Sequence, residues 1–121
     1  MPTGQQNETG FKSFIAGEAL EPFRCVKPHT TLGQVVYADA GEASIGVTQD
    51  RAASGDPVCV KLWNSLGTFT VSVASSVAAI NTALYSANDG QLDDASSGTV
   101  KAYNLEVVSA ANAQVEVVAH R

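Results

Sequence analysis

Two histidines, two cysteines and one acid-rich loop are the residues in this chain whose types invite chemistry. His29 lies in the Pro28-His29-Thr30-Thr31 turn and His120 stands next to the C-terminus. Neither belongs to a paired-histidine motif, and no cysteine or carboxylate stands at ligand spacing, which argues against zinc. A Cys–His nucleophile would need Cys25 or Cys59 beside His29, but a cysteine on the alternating face of a strand is usually packed. Asn88-Asp89-Gly90-Gln91-Leu92-Asp93-Asp94 gathers oxygen ligands around a glycine, yet lacks the EF-hand spacing and its final bidentate glutamate. No GxSxG elbow, Walker loop or GxGxxG is present. The lone Trp63 reads as a core lid or an exposed anchor. No catalytic residue, metal site or cofactor is therefore expected, and the chain reads as something other than an enzyme.

The elements that would position such residues are short strands. The chain has 121 residues, 45% hydrophobic and 16% charged, and is rich in Ala, Val, Ser, Thr and Gly. That composition predicts an all-β fold, a small antiparallel barrel or sandwich, with residues 11–121 as a single domain behind an extended arm, residues 1–10. MPTGQQNETG offers almost nothing to bury, so the arm is expected to be flexible. A net charge of −5 with no basic stripe argues against nucleic acid. No apolar run approaches the ~20 residues that span a bilayer, so no membrane partner is expected. The N-terminus lacks a basic and an apolar signal region. The two cysteines are expected to remain reduced.

Gly41 to Leu62 is the clearest hairpin. Ile45 and Val47 alternate with Gly46 and Thr48, Ser54-Gly55-Asp56-Pro57 turns, and Val58, Val60 and Leu62 alternate on return. A looser second hairpin runs from Tyr103, Leu105 and Val107 to Val115 and Val117. Strands are also predicted at Phe11–Ala16, within Leu32–Ala38, at Thr68–Ala74 and at Ala83–Ala87. Pro22 splits or bends the Glu18–Lys27 segment. Val77, Ile80 and Leu84 allow one or two helical turns, Asn88-Asp89-Gly90 is a turn, and Leu92–Gly98 is a loop. The expected core is Phe69, Val71, Val73, Ile45, Val47, Val58, Val60, Leu105, Val115 and Val117. Val35-Val36-Tyr37-Ala38 echoes Ala83-Leu84-Tyr85-Ser86, a weak repeat that reads as two copies of one β unit.

Phe23-Arg24-Cys25-Val26-Lys27, the GEASIGVT run from Gly41 to Thr48, the AASGDPV turn from Ala52 to Val58 and Val60-Lys61-Leu62 follow one another in order. Gly67-Thr68, an Ala-rich stretch, Ala83-Leu84-Tyr85-Ser86 and Asn88-Asp89-Gly90 complete the series. From about Phe23 to Val118 the chain resembles the capsid decoration, or capsid cement, proteins of tailed phages. Its last hairpin departs from that family, with Tyr103-Asn104-Leu105-Glu106-Val107 in place of a second IGV-type strand. The resemblance implies a β domain that binds the outer surface of the mature phage head, bridges neighbouring major capsid protein subunits and stabilises the shell. It implies a virion protein made in the host cytoplasm and associated as homotrimers. Pro2, Thr3, Gly4, Gln5 and Gln6, with Phe11 and Phe14 behind them, are the candidate capsid-binding residues. Other readings are a tail or head-completion protein, or a small ligand-binding β domain, which should show clustered exposed aromatics.

Overall fold

Alternating short apolar runs cut by glycine and proline yield strands of two to six residues. The computed structural model describes residues 10–120. Its strands are β1 (Phe11–Ala16), β2 (Cys25–Pro28), β3 (Gln34–Tyr37), β4 (Gly46–Thr48), β5 (Pro57–Leu62), β6 (Phe69–Ser72), β7 (Ala83–Ser86), β8 (Leu92–Asp93), β9 (Val100–Asn104) and β10 (Gln114–Ala119). A 3₁₀ turn at Asn88–Gly90 is the only helical piece among the described residues. The first five strands close a barrel in the order β1-β3-β2-β4-β5, and the last five form a sheet in the order β6-β10-β9-β7-β8. The all-β reading holds. The barrel closes through one parallel pair, β1 with β3, in an otherwise antiparallel set.

These two sheets are the same structure twice. The β1/β5 pairs Lys12–Val60 and Phe14–Val58 recur in β6/β10 as Phe69–Val117 and Val71–Val115, a shift of 57 positions (12 to 69, 60 to 117). The parallel closure Ala16–Val35 recurs as Val73–Leu92 at the same shift, and the Leu20–Ala52 bridge as Val77–Val108, one residue short of it on the second strand. The β2/β4 pair Val26–Gly46 corresponds to the β7/β9 pair Leu84–Ala102. Backbone handedness repeats too. Gly10 and Gly67, Phe23 and Asn81, Gly33 and Gly90, Gly41 and Gly98, and Gly55 and Asn112 are paired positive-φ residues, and only Asp89 lacks a partner. The two expected hairpins are counterparts. The tetrapeptide echo is out of register with this repeat, because Val35 corresponds to Leu92, whereas Ala83–Ser86 corresponds to β2.

The interiors match as well. The barrel encloses Ala16, Leu20, Val26, Val35, Ala52, Val58 and Val60, and the counterparts Val73, Val77, Leu84, Leu92, Val108, Val115 and Val117 are buried in the second half. Each fully buried Val or Leu side chain contributes roughly 1.5–3 kcal/mol. The second cluster also takes in Cys25, Ala38 and Val47 from the outer wall of the barrel. Thus β4 is buried on both faces, with Thr48 turned toward Val60 inside the barrel and Val47 turned toward the second half.

This arrangement corrects several expectations. There are two apolar clusters where one shared core was expected. Leu105 is 45% exposed because Asn104 takes the inward position at the end of β9. Ile45 precedes β4 and is only partly buried. Val77 bridges Val108 where helical turns were allowed, and Leu92, expected in a loop, is buried on β8. Pro22 does split its segment, leaving the Leu20 bridge on one side and β2 on the other.

The second sheet stays open for a visible reason. In the first half the Ile15 amide donates to the Gly33 carbonyl (2.9 Å), extending the β1/β3 seam. Its counterpart, the Ser72 amide, donates instead to the Phe23 carbonyl of the first half (2.8 Å). The Phe23–Cys25 segment thereby lies against both β6 and the 88–90 turn, and only the Val73–Leu92 bridge remains.

Candidate interaction surface

Strand β1 positions the two described aromatic candidates, and alternation sends them to opposite faces. Phe11, opposite Lys61 on β5, is 43% exposed, with the Lys61 ammonium 5.9 Å from its ring centre. Phe14 pairs with Val58 and packs against the barrel cluster, with Lys12 Nζ 5.9 Å from its ring. The apolar neighbour on the face of Phe11 is Ile15, also exposed. The alternation Phe11, Ser13, Ile15 is the signal for it. Pro2, Thr3, Gly4, Gln5 and Gln6 lie outside the described residues. Gly10, read as the end of the arm, joins the barrel edge, where its carbonyl accepts from the Leu62 amide (2.7 Å).

The residues with reactive side chains do not converge. Cys25 is wholly buried between the halves, and burial pushes its thiol up to about 12. Cys59 is also raised, by burial and then by Asp50. Both are free thiols, and neither is a thiolate at neutral pH. His29 lines an open groove of about 530 Å³ with Gly17, Glu18, Lys27, Tyr37 and Asp39. The polar groups there are already engaged: Glu18 accepts from the Tyr37 amide, and His29 Nδ1 accepts from the Thr31 amide. His120 stands 3.1 Å from the Tyr103 hydroxyl. Trp63 is a lid, its ring centre 4.8 Å from that of Phe69 and its Nε1 donating to Ser44 Oγ. Among the described residues no three His, Cys, Asp or Glu gather as a metal site.

The most elaborate polar contact joins the two halves around the 88–90 turn. Arg24 donates to the Asp89 carbonyl (2.9 Å), the Asp89 amide to Asp39 Oδ1 (3.0 Å), and the Ala40 amide to Asn88 Oδ1 (3.2 Å). The Gly90 amide donates to the Ala38 carbonyl (3.0 Å). Glu42 holds the receiving loop, accepting from Lys27 Nζ (2.6 Å) and from the Asp39 amide (2.7 Å). The Lys27 hydrogen bond, then the Asp39 amide, keep its carboxyl below the usual carboxylate value. A depressed carboxyl stabilises the fold above its unfolded-state pKa and loses that effect as pH falls through its folded value. Glu42→Gln is therefore expected to lower the melting temperature slightly at pH 7, and the two melting curves should converge in acid. A difference that persists below the carboxylate range would show that shape, not charge, is what Glu42 supplies.

No family model matches the chain, and no curated protein sequence matches it. Among solved structures, the chain is similar to the head fiber gp8.5 N base of bacteriophage phi29, at 19% sequence identity and a TM-score of 0.73, over 91% of this chain and 92% of that one. The doubled β unit is thus a fold it shares with that phage head fiber base.

Proposed function

We propose that this protein is a non-catalytic structural component of a phage head, a decoration protein that binds the outer capsid surface. The observation that supports this most is the fold held in common with a phage head fiber base over nearly the whole of both chains. The ordered series of short motifs resembling capsid cement proteins points the same way. In this reading the protein bridges neighbouring major capsid protein subunits as a homotrimer, and Pro2, Thr3, Gly4, Gln5 and Gln6 with Phe11 make the contact, while Phe14 packs against the barrel cluster. A contact made only on the expanded lattice gains affinity only where the lattice offers a matching surface. The N base of a head fiber also favours a second reading, in which the same fold anchors an appendage on the head.

The test is retention on undecorated expanded phage heads. The intact chain is expected to co-sediment with them, and a chain lacking residues 2–9 to be retained at least tenfold less while melting at nearly the same temperature. Full retention of the shortened chain would move the contact to the barrel surface. No retention of the intact chain would overturn the proposal.

A further inference from the structure

Each half buries a different face against the other. The first half offers Phe23–Cys25, Ala38–Asp39 and Val47, and the second offers Ser72 and the 88–90 turn. Since the halves share one topology, each also carries the counterpart of the face that the other one uses. On the first half, the counterparts of Ser72 and Gly90 are Ile15 and Gly33, and Leu32 takes the place of Asp89 at the turn tip. All of this is open: Ile15 is 38% exposed and Leu32 90%. A Cβ added at Gly33 would meet nothing within 4 Å, whereas one at Gly90 would meet the Cys25 carbonyl at 2.6 Å and Arg24 Cβ at 3.0 Å. On the second half, the buried Cys25–Val47 pair has its counterpart in Ala83–Tyr103, which is only partly buried.

We propose that a second copy of this chain docks head to tail, the Ile15 and Leu32 face of one copy seating on the Thr82, Ala83 and Tyr103 face of the next. It would repeat between chains the contact that already joins the halves within one. The substitutions on the two faces match. Within the chain the turn tip is Asp89, and it meets Arg24 and Asp39. At the open faces the counterparts are Leu32, Thr82 and Ser96, so charge is absent from both sides together. An exposed leucine at a turn tip gains by burial against Thr82 and Ala83, and none of the three counterpart positions brings an ionised group that would lose its partner there. A contact between two different faces is heterologous, closing into a ring or continuing as a filament.

The inference takes from the proposed function only that copies associate. Its test uses no phage head, so the two can fail separately. In a Cys59→Ser background, chains carrying Leu32→Cys and chains carrying Thr82→Cys are mixed at high concentration with a short bismaleimide. Arg24→Cys with Asp89→Cys in one chain serves as the intrachain control, expected to cross-link internally. A dimer in the mixture at least tenfold above either chain alone is the expected result, and adding Ile15→Glu to the Leu32→Cys chain, which keeps the thiol, should abolish it without lowering the melting temperature. Equal cross-linking of either chain to itself would mean that like faces meet, and would overturn the proposal. So would an internally cross-linked control with no product in the mixture.

Discussion

Replacing Asn104 with alanine is expected to be the most damaging single polar substitution in the chain, lowering stability by roughly 3–4 kcal/mol. Asn104 is fully buried, and its amide donates to the carbonyls of Ala79 (2.9 Å) and Glu106 (2.7 Å) while accepting from the Thr82 amide (2.7 Å). Truncation leaves three backbone groups short of partners and opens a void beside Val117. Leucine would fill the space but satisfy none of those groups, so Asn104→Leu should be nearly as harmful. Thr48 is the matching position in the first half: its hydroxyl donates to the Glu21 carbonyl (2.8 Å) and accepts from the Arg24 amide (3.1 Å). Thr48→Val, with one side-chain oxygen to lose, should cost about 1–2 kcal/mol. Chemical denaturation of the three variants checks the order. A Thr48→Val loss equal to that of Asn104→Ala would contradict it.

Alanine at Gly90 should separate the two halves where alanine at Gly33 does not. Both glycines have a left-handed backbone, φ +75 and φ +82, so both substitutions carry the ~1–2 kcal/mol that a side chain costs there. At Gly90 the added methyl must also displace the Cys25 carbonyl at 2.6 Å and the Tyr37 ring at 2.8 Å. Backbone cannot yield as a flexible side chain can, so the total is expected to exceed the Gly33 value by at least about 2 kcal/mol. The Gly90 variant should also bring slow amides near Phe23 and Ser72 into faster hydrogen exchange. Equal melting temperatures for Gly33→Ala and Gly90→Ala would show that the 88–90 turn is not pressed against the barrel.

Strand existence is legible in the sequence wherever alternation runs cleanly. Phe11–Ala16 is a strand to the residue, and Phe69, Val71 and Val73 face inward as their spacing requires. The errors fall where a polar residue occupies an inward position. Following apolar type from Tyr103 through Leu105 to Val107 puts the wrong parity inside, because the buried residue is Asn104, whose value lies in three backbone partners that alternation does not reveal. The repeat is half visible. Its hairpins are recognisable, but the tetrapeptide echo compares β3 with β7, since common residues in short strands match by chance. Four of the five positive-φ pairs carry the shift of 57, and three of them stand in the sequence itself as glycines at 10 and 67, 33 and 90, and 41 and 98. The candidate surface is the least legible part. Residue type groups Phe14 with Phe11 although strand geometry separates them, and Leu32 and Ile15 matter only once the halves are superposed.

The seam of the second sheet is occupied by Phe23, and on a ribosome that residue is made before β6 and before the 88–90 turn it lies against. Every pairing of the barrel falls within residues 11–62, so the barrel can close while the rest of the chain is still in the exit tunnel. The later strands then emerge onto a finished template that already presents Cys25, Ala38 and Val47. A circular permutant starting at the linker between β5 and β6 would reverse that order. It would release β6 and β8 with their edges unpaired, which is the condition under which nascent chains find one another first.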